Sequence, residues 1–318
     1  VGSVASMDHY TILTEKDGDE FEWTTLADPT TRNALYFATN EARTDTTLRA
    51  VADKTYLWFF GKESTEIWYN TGQSGADAFT RLGGGVHDTG LLASGLVTKT
   101  ESGIFFIGDD RVAYMAGAGG LNAVSTPAVN EALDAGTPTH CFYYEDRGHR
   151  FCCIQFANRP AWVFDVATGL WHERSSGVNG GAWDVIAATY AWGRYYCATT
   201  SGVVYKMDRS NTDVTGPLKR VMISSSLYME GEQFSVDELE ILGEFGESTT
   251  EATVTIRVSK DQGRTFGQPI YRSAGVVGSR QIRAVFRALG RQRDFVAELS
   301  VTDATDMNIY SDVNVRVG

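Results

Sequence analysis

Short apolar stretches alternate with polar turns along this chain, and YLWFFGKESTEIWYNTG, from Tyr56 to Gly72, shows the unit most plainly. Its first half is a continuous aromatic and apolar run, and its centre, from Gly61 to Thr65, is polar. Its second half sets Ile67 and Tyr69 against Trp68 and Asn70. This pattern predicts a β-hairpin with both faces partly covered. The same strand, turn and strand recur in GIFFIGDDRVAYMAG from Gly103, HRFCCIQFANRPAWVFDVATG from His149 and GRYYCATTSGVVYKMD from Gly193. Their starts fall about 45 residues apart, the period of propeller blades. An earlier copy is expected between Tyr10 and Trp23, with a turn at 17–19, as an incomplete first blade.

Between the hairpins, 27–50 reads as a loop with a strand-like centre at 35–38. The glycine-rich GQSGADAFTRLGGGVHDTG reads as a connection crossing a surface, and WHERSSGVNGGAWDVIAATYAWG as a bridge with a surface loop at 179–181. The one convincing helix is 125–136. There Thr126 can cap, Pro127 suits the first turn, Ala128, Ala132 and Leu133 share a side, and Gly136 ends it. SNTDVTGP is the clearest boundary. Beyond it, longer alternating strands at 234–242, 252–258, 281–286 and 295–301 predict a different unit. The expectation is an all-β chain: a β-propeller-like domain of hairpin blades over 1–213, possessing one short helix, then a β-sandwich-like domain over 214–318.

Composition supports many short strands: 318 residues with 42% hydrophobic side chains, 12% aromatics and 33 glycines. No apolar run approaches the roughly 20 residues of a membrane-spanning helix. The net charge of −12 argues against adhesion to phosphates, because nucleic-acid binding draws on Lys and Arg displacing counterions. Cys141, Cys152, Cys153 and Cys197 lie in or beside aromatic runs without paired spacing, so they read as small core residues rather than disulfides. The chain opens on Val1, which points to processing or to a longer parent protein.

SKDQGRTF, from Ser259 to Phe266, fits the Asp-box pattern S-x-D-x-G-x-T-W/F. Asp261 is expected to accept hydrogen bonds from the turn's backbone, Gly263 to take a positive φ, and Phe266 to pack beneath, with Ser259 and Thr265 completing the motif. Such a box stabilises a turn and performs no chemistry. A glycosidase needs two placed carboxylates. Glu63 and Glu66 could be offered, but a solvated turn explains them better. His140, Cys141, His149 and Cys152 are zinc-ligand types without a ligand spacing, and adjacent Cys152 and Cys153 should point to opposite faces of a strand. No G-x-S-x-G elbow occurs. Arg280, Arg283 and Arg287 form a basic cluster among apolar residues, read as a strand contacting an acidic neighbouring subunit. No catalytic, cofactor or metal residue emerges.

Several of these stretches together resemble the packaged-DNA stabilisation proteins, the tail hub or nozzle proteins of short-tailed bacteriophages. The resemblance rests on LYFATNEARTD, LWFFGKESTEIWYNTG, VSTPAVNEAL, GHRFCCIQF, WVFDVATGLWHER and the long tract from Val258 to Asp303. Its most specific pieces are FG-x-x-STE-x-W-x-NTG, carrying Gly61, Glu66, Trp68, Asn70 and Gly72, and W-x-x-DVATG-x-WHER, carrying Trp162, Asp165 and Trp171. Two departures stand out: the family has a further N-terminal portion, and IFFIGDDRVAYMAG is shorter than its counterpart. The resemblance implies a structural virion protein, assembled in the host cytoplasm into a hexameric ring below the portal and adaptor. Its implied partners are other copies of itself, the portal and adaptor rings, and tail spike, fibre or needle proteins, with phage DNA passing through without sequence-specific binding. The other class of function is a glycan-binding or glycan-hydrolysing propeller, kept by the Asp box.

Overall fold

The computed structural model describes residues 1–318 apart from 41–42, 44, 118–119, 209, 211, 214–215, 246–250, 276–280 and 304–306. The protein is all-β with one α-helix among the described residues. It divides into two compact units: Val1–Ser175 with Ala182–Met207, and Ser176–Gly181 with Asp208–Gly318.

The first unit is a succession of antiparallel sheets, each built from consecutive strands. The opening blade has four: Val4–Met7, Tyr10–Thr14, Glu20–Thr25 and Asp28–Thr39. The next holds Thr47–Asp53, Tyr56–Gly61, Thr65–Asn70 and Phe79–His87. The third runs through Val97–Thr100, Gly103–Ile107, Ala113–Gly117 and Gly120–Ala123. Pro138–Asp146, His149–Phe156, Ala161–Asp165, Leu170–Ser176 and the short Gly181–Ala182 make the fourth, and Val185–Ala191, Arg194–Thr199 and Val204–Lys206 the fifth. This is the propeller-like arrangement that the repeated hairpins predict.

Packing explains why the central strands read as unbroken apolar runs. In the hairpin from Tyr56, Leu57, Phe59 and Trp68 join Ile12, Phe21 and Trp23 of the first blade in one core. Trp58, Phe60 and Ile67 turn the other way, into a core shared with Ile104, Phe106 and Ile154. Period-two alternation therefore separates two buried faces rather than a dry face from a wet one. In the fourth blade Cys152 enters that second core, while Cys153 joins Phe142, Val163 and Val185 in a third. All four cysteines are free and buried.

Polar groups tie the blades at their ends. Asn70 Nδ2 donates to Asp8 at 2.9 Å, Trp23 Nε1 to the Gly75 carbonyl at 3.0 Å, and the Ala50 amide to Ser3 Oγ at 2.9 Å. Further along, Trp171 Nε1 reaches the Val124 carbonyl at 2.8 Å, and the Cys141 amide the Gly95 carbonyl at 2.9 Å.

Outer strands depart from the sequence-based expectations. The loop expected over 27–50 contains Asp28–Thr39, which completes a four-stranded first blade. Its side chains are mostly exposed and its register slips twice, so no alternation marks it. The expected surface connection before residue 90 contains the strand Phe79–His87, disguised by three consecutive glycines, one of them with φ of 76°. The bridge after Leu170 is likewise largely strand. The helix, Pro127–Ala135, buries Val129, Ala132 and Leu133 rather than Ala128. Thr126 stands at its N-cap without a side-chain hydrogen bond, and Gly136 ends it in extended conformation at φ −109°.

The second unit is a sandwich. One sheet runs in the order Arg220–Ile223, Asp294–Val301, Thr253–Ser259, Ile270–Ser273, with Leu227–Tyr228 also pairing Asp294–Val301. In the other, the twelve-residue strand Phe234–Phe245 pairs with Gln281–Arg287, Arg291–Gln292 and Met307–Val317. Between them Val236, Leu239, Ile241, Val254, Ile256, Phe286 and Leu299 form one core.

Because Trp68 is 8% exposed and packs edge-on against Phe21 at 5.0 Å, its loss opens a cavity between two blades. Trp68→Ala should lower stability by about 3 to 5 kcal/mol, read from urea unfolding. A loss under about 1 kcal/mol would contradict this packing.

Candidate functional site

Carboxylates that close hairpin turns are the recurring polar device. In the hairpin from Tyr56 the turn is held by Asp45, from the preceding linker. Its Oδ1 accepts the Lys62 amide at 3.0 Å, and Oδ2 accepts the Glu63 amide at 2.8 Å, the Ser64 amide at 2.9 Å and Ser64 Oγ at 3.0 Å. A side chain at Gly61 would overlap this carboxylate, which is why the motif has glycine there. Asp45 lies 17 residues from the first amide it binds, so no local motif reveals it.

Glu66 corrects the reading of a solvated turn: it is 3% exposed, on strand Thr65–Asn70. Its Oε2 accepts Trp68 Nε1 at 3.2 Å and lies 3.6 Å from the Arg81 guanidinium. Asn70 spans the blade end already described while its Oδ1 accepts the amide of Gly72, whose φ is 78°. The motif FG-x-x-STE-x-W-x-NTG is thus one turn, one buried acid and one inter-blade anchor.

W-x-x-DVATG-x-WHER has the same character. Asp165 accepts His149 Nδ1 at 2.8 Å, Thr168 Oγ1 at 2.7 Å and the amides of Ala167 at 3.0 Å and Arg150 at 3.3 Å. Burial alone would raise its pKa, but these hydrogen bonds outweigh it and hold the carboxyl at about 2. Trp162 is half-buried, edge-on to Trp171 at 6.4 Å, and Trp171 also packs on Phe164 at 5.0 Å. Three residues after Trp171, Arg174 lies over Tyr144, Phe151 and Trp183 at 5.2, 4.9 and 5.5 Å, a cation held by rings. Burial and the nearby Arg174 push His172 down to about 4. Sequence reasoning singled out neither Arg174 nor Asp45.

The Asp box is formed as its pattern predicts. Asp261 Oδ1 accepts the Thr265 amide at 2.9 Å and Ser259 Oγ at 2.7 Å, and Oδ2 accepts Thr265 Oγ1 at 2.6 Å. Gly263 has φ of 85° and donates its amide to Ser259 Oγ at 2.9 Å. The bonds from Ser259 and Thr265 lower the Asp261 pKa to about 2. Phe266 lies half-buried under Arg257, 5.2 Å from ring to guanidinium, and Arg257 Nε meets the buried Glu298 at 2.9 Å. The turn is thereby fastened to the sheet beneath.

Arg283 and Arg287 find carboxylates within their own sheet: Arg283 Nε lies 2.6 Å from Glu240 and Arg287 Nε 2.8 Å from Glu238. The opposing acids sought across a subunit boundary are therefore supplied, at least in part, by the neighbouring strand Phe234–Phe245. Arg280 lies outside the described residues. Cys141 and Cys152 are buried, and His149 is engaged by Asp165. Among the described residues no three His, Cys, Asp or Glu side chains gather around a metal-sized space.

Two cavities bear on chemistry. One, of about 10 Å³, is lined by Asn40, Asp45, Ser64 and Glu66, and has room for a water molecule but not for a sugar. The other is an apolar groove of about 180 Å³ in the sandwich, lined by Val221, Met222, Leu299, Val301, Ile309 and Arg220. It holds no carboxylate.

Asp165→Asn should keep the shape of the turn and lose the charge that its donors favour. The folded-state pKa lies below the ordinary 3.8, so the carboxylate's contribution is full above that pH and fades as pH falls through about 2. The gap in urea midpoint between wild type and variant should be open at pH 7 and narrow towards pH 2. Asp261→Ala should speed exchange of the Thr265 amide and lower the melting temperature. Unchanged exchange at Thr265 would rule out the clamp.

The family model described as bacteriophage P22 Gp10, beta-propeller, matches residues 1–212, and that described as bacteriophage P22 Gp10, beta-sandwich, matches 219–318. No curated protein matches the chain by sequence. Among solved structures the chain is similar to the dihydro-heme d1 dehydrogenase NirN in complex with DHE, at 10% identity and a TM-score of 0.43. That match covers 90% of this chain, which spans 58% of the other's length. A glycoside hydrolase matches at 12% identity and a TM-score of 0.29, over 97% of this chain and 96% of its own. A family 43 arabinoxylan arabinofuranohydrolase from Bacillus subtilis, in complex with cellotetraose, matches at 9% and 0.24, over 99% of this chain and 78% of its own. Likenesses this remote carry no functional argument. The two family models follow one another in the order of the two units and take in nearly every residue, and the chain belongs to the bacteriophage P22 Gp10 family.

Proposed function

We propose that the protein is a structural component of a short-tailed phage tail, a nozzle or hub ring below the portal and adaptor. The ring extends the DNA conduit, helps retain the packaged genome and lets it pass at ejection. The observation that carries this reading is the family match along both units. The motif chemistry supports it: Asp45, Asp165 and Asp261 are spent on turns, and Glu66 on a buried tryptophan. In this reading six copies form the ring, portal, adaptor and spike, fibre or needle proteins are its neighbours, and assembly takes place in the host cytoplasm. Mass spectrometry of purified particles tests whether the chain is a virion component, and a virion reconstruction tests its place and copy number.

A conduit works best when its lining does not grip DNA. Each Lys or Arg on the duplex would make a phosphate contact to be broken as the genome moves, repeated in every subunit. The net charge of −12 and the pairing of Arg283 and Arg287 with Glu240 and Glu238 favour weak contact. The isolated protein should bind duplex DNA poorly at physiological salt, with a shallow salt dependence in an anisotropy titration. Tight, steeply salt-dependent binding, with Arg283 and Arg287 on phosphates, would replace the low-friction conduit with an electrostatic grip. The Asp-box turn keeps a glycan-binding or glycan-hydrolysing propeller as the second reading. Glycoside turnover abolished by Asp261→Ala would reverse the order of the two.

A further inference from the structure

One sheet of the sandwich ends in an apolar edge. Arg220–Ile223 pairs on one side with Asp294–Val301 and, among the described residues, with no strand on the other. After an irregular stretch at 224–226 the chain returns to the same partner as Leu227–Tyr228. The ladder fixes which backbone groups face out. The Ser224 amide donates to the Ala297 carbonyl at 2.9 Å, so by antiparallel alternation Met222, opposite Leu299, also bonds inward. Val221 and Ile223 then direct their N–H and C=O groups to the open side. The same parity, carried along to Phe295, turns Leu227 inward and Tyr228 outward.

The side chains on this edge are apolar and uncovered: Val221 is 48% exposed, Met222 49%, Ile223 55%, Tyr228 61% and Met229 44%. From 220 to 229 the single charge is Arg220, and no proline or lysine interrupts the run. Sheet edges that stay solitary are blunted by such residues, and an edge without them is a template for another strand.

We propose that a second copy of this chain fills this edge by two-fold antiparallel strand pairing, with Val221 of each copy opposite Tyr228 of the other. Charge and register select this occupant. The pairing sets outward-facing residue against outward-facing residue, as a hydrogen-bonded pair requires, and at both ends brings Lys219 to Glu230, which stands in the turn just past the strand with φ of 48°. Slipping by two residues one way sets Lys219 against Tyr228, and slipping the other way sets Glu230 against Val221. Both lose the matched ends. Lys219 is 30% exposed and 3.8 Å from Glu298, whose oxygens already receive Arg257, so its ammonium can take a second carboxylate. Two copies at −12 repel over most of their surface, and this near-neutral edge is where they can meet. The contact is two-fold, unlike the head-to-tail contacts of a ring, and does not rest on the tail reading.

The test uses the 318-residue chain in a concentration series, followed by sedimentation velocity and amide hydrogen exchange. A dimer should appear as concentration rises, and the Val221 and Ile223 amides should slow by at least about tenfold with it. Val221→Pro removes an outward donor while sparing the inward ladder, and Lys219→Glu places like charges at both ends. Both variants should stay monomeric with their cooperative melts retained, and Lys219→Glu combined with Glu230→Lys should dimerise again. Fast exchange at Val221 and Ile223 at every concentration, or association indifferent to these substitutions, would overturn the proposal.

Discussion

The structure depends on burying both faces of its central strands at once. A blade such as Tyr56–Gly61 with Thr65–Asn70 has no wet side: Phe59 and Trp68 meet one neighbour and Trp58, Phe60 and Ile67 the other. No hairpin of this kind could be stable alone, because half of its large side chains would face water. Stability is therefore shared along the row of sheets, as in repeat proteins, and each blade's sequence is written for two neighbours.

That sharing leaves little room for polar groups inside, so they are moved to the rims and made to do connective work. Asp45, Asp165 and Asp261 each gather amides and hydroxyls that a tight turn would otherwise leave to solvent. Where a charge does enter a seam it is matched: Glu66 by Trp68 and Arg81, Arg174 by three aromatic rings. Residues that resemble catalytic acids in the one-dimensional sequence are thus parts of the joinery. The acidic surplus of the chain sits elsewhere, on its surface.

What could be read in the sequence follows from the range of the interactions. The central hairpins were legible because two-faced burial writes an uninterrupted apolar run, and the Asp box because all its bonds close within eight residues. The strands Asp28–Thr39 and Phe79–His87 were not, because the first exposes most of its side chains, the second is interrupted by consecutive glycines, and bulges break the register of both. The clamp by Asp45 was invisible since two whole strands, Thr47–Asp53 and Tyr56–Gly61, separate it from its turn. The pairing of Arg283 with Glu240 needs the register between two strands about 40 residues apart, which periodicity alone does not supply.

Cys152 and Cys153 are consecutive, yet one lines the seam towards the third blade and the other the seam towards the fifth. Burial raises both thiols, Cys153 to about 12, so neither reacts while the seams are shut. Two neighbouring atoms of sulfur therefore serve as separate gauges. A thiol reagent reaching one and not the other would tell which junction breathes first, residue by residue, without a label being introduced.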